Sequence, residues 1–169
     1  MTNFEKVAIV ACSNGLAPEQ SEKIEYLTRT LMGINLIPIL SNYLYESENV
    51  SERSGEARGR ELMDFYRDEE IRAIFDVSGG DLANEVLPYL DYKTIQNSNK
   101  LFWGYSDLTT VINAVFAKTG KLSVLYQIRN LIREDSVKQL EQFENNLTTD
   151  IVKDQLIKGL KDVNIEDLS

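Results

Sequence analysis

The 169 residues contain no histidine. That absence rules out Ser-His-Asp or Cys-His catalysis completed within the chain. It also removes the commonest zinc ligand. Cys12 is the only cysteine, so no internal disulfide can form and no thiolate metal site can be assembled. Neither a metal nor a cofactor is expected. Positive charge is also short, with 18 basic residues against 27 acidic ones and a formal net charge of −9. Such a surface repels phosphates, so no nucleic-acid partner is expected, and the acidity fits solubility. No apolar run approaches the roughly 20 residues that cross a bilayer. Residues 1–6 lack the basic-then-apolar pattern of a signal peptide. The expectation is a cytoplasmic protein with no membrane partner. There is no internal repeat and no low-complexity segment.

What remains is an alternation of short apolar runs and amphipathic stretches. Residues 6–12 read as a buried strand ending in the turn cluster Ser13-Asn14-Gly15. Pro18, Glu19 and Gln20 open a helix striped by Ile24, Leu27, Thr28 and Leu31, and Gly33 marks its end. A second strand spans 35–40. Pro38 within it cannot donate to a ladder, which places that strand near an edge. In the loop at 41–54, Tyr43, Leu44 and Tyr45 either grip a ligand or pack back onto the body. A helix spans 56–68. Arg53, Arg58 and Arg60 at its start form either an anion site or a solvated face. A third strand at 71–77 runs into Ser78-Gly79-Gly80-Asp81 and a helix at 82–87, which Pro88 ends. A helical turn spans 91–96.

The central strand enters Gly104, turns at Tyr105-Ser106-Asp107 and becomes a helix with Leu108, Val111, Ile112, Val115 and Phe116 on one side. Gly120 closes that helix. A fifth strand spans 121–126, residues 127–135 take no clear assignment, and amphipathic helices span 136–147 and 151–163. Residues 164–169 read as a frayed tail. The expected organisation is one α/β domain over 1–150, followed by a C-terminal helix and tail over 151–169. Its fold is a doubly wound, mainly parallel sheet with helices on both faces. Ligands of such sheets sit at the carboxyl ends of the strands. There three loops converge, carrying Ser13, the Gly79-Gly80 pair and Ser106. A serine at a strand-to-helix turn offers its hydroxyl above the sheet, beside free helix N–H groups. It can equally be a helix cap, as can Asp107. The two glycines can form an anion nest or an ordinary turn.

Several segments resemble the LD-carboxypeptidase family of serine peptidases, most closely its microcin C self-immunity branch. They are Ser78-Gly79-Gly80, the run from Leu87 to Tyr92, the run from Lys100 to Thr109, and Lys118-Thr119-Gly120. The segment over 58–74 fits as well. The resemblance implies a flavodoxin-like or class I glutamine amidotransferase-like fold. It places Ser106 at the nucleophile position. It places the oxyanion hole at the N–H of Asp107 with one from the Gly79-Gly80 turn. It implies hydrolysis of amide bonds next to a free carboxylate, such as those of cell-wall tetrapeptides, without a metal.

The chain also departs from the family pattern. The family's second domain supplies a Glu and a His, and this chain has no His. A Gly-Pro pair expected just after the fifth strand is missing, and Tyr126-Gln127-Ile128 stands there. A Ser-Lys arrangement would need Lys100 or Lys121 at the hydroxyl. The expectation is therefore an N-terminal half without its catalytic C-terminal domain, inactive in isolation. The alternative is a non-catalytic binding or oligomerisation module of the same descent. Expected partners are a peptide or amino-acyl ligand, a second copy in a homodimer, and a separate C-terminal catalytic domain.

Overall fold

A computed structural model describes residues 4–49 and 51–148, with side chains through 145. The expected helix over 151–163 lies outside the described residues. Five parallel strands form one sheet: β1 (Glu5–Val10), β2 (Leu36–Leu40), β3 (Ile71–Asp76), β4 (Phe102–Gly104) and β5 (Val124–Leu125). Their order is β2-β1-β3-β4-β5. This is the flavodoxin-like order, whose switch point lies between β1 and β3. As Pro38 indicated, β2 is an edge strand.

The buried stretches of the central strands are mostly apolar because both of their faces are covered. Val7, Ile9, Phe75 and Trp103 point to one core, with Ile24, Leu27 and Leu31 of α1 (Ser21–Gly33). Phe143 of α5 (Ser136–Thr148) joins this core, stacking edge-on to Trp103 at 5.5 Å between ring centres. Ala8, Val10, Ile74 and Phe102 point to the other core. They meet Leu62 and Met63 of α2 (Gly55–Arg67), Ile95 of α3 (Tyr92–Asn97), and Val111 and Val115 of α4 (Thr109–Thr119). The period-2 alternation of the strands and the period-3.6 stripes of the helices thus fill two layers at once.

Three sequence expectations change. The helix expected over 82–87 is a 3-10 helix at Ala83–Tyr89, and Pro88 lies inside it. The fixed φ of proline suits such a tight, short turn. The fifth strand shrinks to Val124–Leu125, because its only neighbour among the described residues, β4, is itself three residues long. Residues left unassigned form a 3-10 helix at Ile128–Ile132, capped by the side chain of Gln127, which accepts from the N–H of Arg129. Among the described residues, no helix is long and apolar enough to cross a membrane.

Candidate active site

Gly104 ends β4 where the chain must bend back over itself. A Cβ there would sit 2.8 Å from Cβ of Leu108 and 3.0 Å from the Phe102 ring. Only glycine lets the following helix pack this close to the strand. Two residues on, Ser106 adopts φ 60°, one of two non-glycine residues with positive φ among the described residues. The left-handed region costs an L-residue about 1–2 kcal/mol. The turn presents Ser106 at the surface, at the start of a 3-10 turn (Ser106–Leu108) that leads directly into α4.

The helix-cap alternative is not what the structure contains. Neither the 3-10 turn nor α4 has a side-chain cap. The carboxylate of Asp107 instead crosses to the neighbouring loops. It accepts from Oγ of Ser13 at 2.5 Å and from the N–H of Ala83 at 2.8 Å. Ser13 Oγ in turn accepts from the N–H of Leu82 at 3.2 Å. One carboxylate therefore ties the loops after β1, β3 and β4 together.

The Gly79-Gly80 turn lies against Ser106. A Cβ built on Gly79 would stand 3.9 Å from Cβ of Ser106 and 4.0 Å from its Oγ. Gly80 has φ 132°, and a Cβ there would collide with Asn14, whose Oδ1 accepts from the N–H of Asp81. The four residues expected at the site, Ser106, Asp107, Gly79 and Gly80, thus come together at the carboxyl edge of the sheet.

Beneath them lies a polar layer with no counterpart in the sequence reading. Asp76 is fully buried at the end of β3. It accepts from the N–H of Cys12 at 2.8 Å, and from the N–H and Oγ of Ser78 at 2.7 and 2.6 Å. Burial raises its carboxyl above the usual range, although those donors pull it down. Arg58 is also buried. It donates to the carbonyls of Cys12, Ser13 and Leu82 and pairs with Glu85. Arg53 donates to the carbonyls of Ala11 and Tyr43. Neither is a free anion site, and neither belongs to a solvated face: both brace the β1 loop. Arg60 alone fits the solvated reading, paired with Glu56. An aspartate inside the apolar run 71–77 was the visible signal for this layer.

Leu44 packs into the core, with Tyr45 against it. Lys100 donates to the carbonyl of Tyr66 at 2.9 Å, and Lys121 donates to the carbonyl of Ser98. Lys100 precedes β4 and Ser106 follows it, so the two occupy opposite ends of the sheet. Among the described residues, no cluster of three His, Cys, Asp or Glu side chains is placed to hold a metal ion. A groove of about 810 Å³, lined in part by Lys6, Arg67 and Lys100, also lies at the end opposite Ser106.

Comparison with known proteins bears on the family and the fold. Residues 7–127 match the model of the LD-carboxypeptidase N-terminal domain. A Vibrio cholerae protein bearing the name of a carboxypeptidase is 40% identical over 73 residues, covering 42% of this chain and 22% of that protein. The microcin C7 self-immunity protein MccF of Escherichia coli is 34% identical over 79 residues, covering 47% and 22%. Among solved structures, an MccF-like protein from Bacillus anthracis superposes with a TM-score of 0.64 at 28% identity, over 71% of this chain and 36% of that one. MccF in its apo state gives a TM-score of 0.74 at 19% identity, over 88% and 46%, a likeness of fold alone. The chain thus spans less than half the length of each of these proteins. The match over 7–127 covers well over half of this chain, and by it the chain belongs to the LD-carboxypeptidase family, through that family's N-terminal domain.

Proposed function

We propose that this domain supplies the nucleophile and the oxyanion hole of a serine-type carboxypeptidase. Ser106 Oγ adds to the carbonyl carbon of an amide whose amine side bears a free carboxylate. The N–H of Asp107 and one from the Gly79-Gly80 turn hold the resulting oxyanion, an interaction worth about 3–4 kcal/mol in serine peptidases. The Ser106 proton passes to a base and then to the leaving amine. Water hydrolyses the acyl-enzyme. The observation that carries the reading is the positive φ of Ser106 at a strand-to-helix turn, with its side chain used neither as a cap nor as packing. Strain of this kind persists where the position of a side chain matters.

The base is the part these 169 residues do not hold. An unassisted serine hydroxyl stays protonated at neutral pH and attacks poorly, and the chain has no histidine. A Glu and a His from another segment complete the site, and the 169 residues alone do not cleave. The exposed side chains of Tyr105 and Leu125, at the ends of neighbouring strands beside Ser106, suit a docking edge for that segment. Substrates are cell-wall-type tetrapeptides or amino-acyl conjugates. Solved MccF structures carry glutamyl sulfamoyl guanosine and aspartyl sulfamoyl adenosine.

The test is co-expression with a family C-terminal domain, followed by a tetrapeptide cleavage assay. Cleavage should need both parts, and Ser106→Ala should lower it at least 1,000-fold, in line with the loss of a triad member. Cleavage that survives Ser106→Ala overturns the assignment.

A further inference from the structure

Resting on that reading, we propose that Ser13 and the Asp107 carboxylate form a latch that aims the N–H of Asp107 at the oxyanion. Ser13 is then a positioning residue, acting on the reaction through Asp107 without touching the substrate.

Ser106 is strained at φ 60°. It can relax by rotating the peptide plane that joins it to Asp107. That rotation carries the N–H of Asp107 with it. The peptide is planar and trans, so the N–H points away from the carbonyl of Ser106. A strained turn persists only where its surroundings fix such a plane. The carbonyl end is fixed by Thr109. The carbonyl of Ser106 accepts from the N–H of Thr109, and from its Oγ1 at 2.8 Å. The carbonyl therefore faces into the start of α4, and the N–H of Asp107 faces out of it.

The Asp107 end is fixed by its own side chain, which caps neither the 3-10 turn nor α4. One oxygen, Oδ2, accepts both from Oγ of Ser13 at 2.5 Å and from the N–H of Ala83 at 2.8 Å. These donors belong to two different loops, so they hold the carboxylate from two directions. Ser13 is itself a firm anchor. It is fully buried, and its N–H, carbonyl and hydroxyl are all engaged. The N–H donates to Oγ of Ser78 at 3.0 Å, the carbonyl accepts from Arg58, and Oγ also accepts from the N–H of Leu82. Oγ of Ser78 donates to Asp76 at 2.6 Å. A continuous chain of hydrogen bonds thus runs from buried Asp76 through Ser78 and Ser13 to the residue after the nucleophile.

The test is a set of residual N–H dipolar couplings from the full ¹⁵N-labelled chain in a stretched gel, because each coupling reports the direction of its N–H bond. In the native chain the Asp107 coupling should fit the alignment set by the amides of β1, β3, α1 and α2. In Ser13→Ala and in Asp107→Ala it should leave that fit, or broaden by exchange, while the strand and helix couplings stay. Asp107→Asn keeps an oxygen for the same two donors and should keep the fit. Asp107 is only half-buried, so Asp107→Ala reports even where Ser13→Ala does not fold. An Asp107 coupling unchanged in the alanine variants overturns the proposal, as does one displaced as far in Asp107→Asn as in Asp107→Ala. In the two-part assembly, Ser13→Ala should lower kcat by about tenfold or more with KM held within about twofold, since the oxyanion is bound only in the transition state. Lost stability with kcat unchanged overturns the positioning role. The couplings need no cleavage, so a failed latch shows in them, and a failed nucleophile assignment shows in the Ser106→Ala cleavage assay.

Discussion

At the scale of the residue, Ser106 carries the tension between stability and chemistry. Glycine adopts φ 60° without the steric penalty that any side chain meets there. Ser106→Gly should therefore be more stable than Ser106→Ala by about 1 kcal/mol, read from urea unfolding midpoints. The opposite order would mean that the turn is not strained in solution. Asp76 makes a second prediction. Its carboxyl titrates above the usual value in the fold because of burial. Such a group stabilises the fold below its unfolded pKa of about 4 and loses that contribution as pH rises through the folded value. The stability of the native chain minus that of Asp76→Asn should thus grow as pH falls towards 4. A flat difference would show that the donors from Cys12 and Ser78 fully offset the burial. Ser106 was legible as a site candidate because a serine between an apolar strand and an apolar helix has few positions to take. That Asp107 does not cap the following helix was not legible. It depends on where Asp107 sends its carboxylate, across 94 residues of sequence to Ser13.

At the scale of the element, the turn at Ser106 forms where β4 and α4 approach each other at Gly104. Gly104→Ala would place a methyl 2.8 Å from Cβ of Leu108, which is fixed to the helix backbone and cannot swing aside. Overpacking of this kind costs about 1–3 kcal/mol, and it should appear as a lowered unfolding midpoint. Tolerance without loss would show that α4 can slide along the sheet. Strands and long helices could be read from the sequence because their patterns are local: a buried run for β1 and β3, a 3.6-residue stripe for α1 and α4. The 3-10 segments could not. Their hydrogen bonds skip three residues, their apolar positions follow no face, and Pro88 gave the signal of a stop while sitting inside one. The short β5 escaped for a related reason, since strand length is set by the partner strand and not by the run of apolar residues.

At the scale of the whole molecule, one buried arginine links the parts. Arg58 leaves α2, passes under the β1 loop and reaches the carbonyl of Leu82 beyond β3. Arg58→Met keeps most of the volume but strands several buried carbonyls, each costing about 1–3 kcal/mol when unmet. The expected loss is about 3 kcal/mol of unfolding free energy, measured by denaturant titration. A loss under 1 kcal/mol would mean that water replaces the guanidinium. The sequence showed three arginines near the start of a helix and left their purpose open, because burial is a property of the assembled layers. The convergence of the three loops was legible earlier, since strand alternation alone sends them to one edge.

The geometry of Ser106 also bears on descent. A lineage that had stopped using the hydroxyl would gain stability with a single change to glycine at this position, and nothing in the packing would oppose it. A serine held in the left-handed region of this chain suits the proposed use of its oxygen.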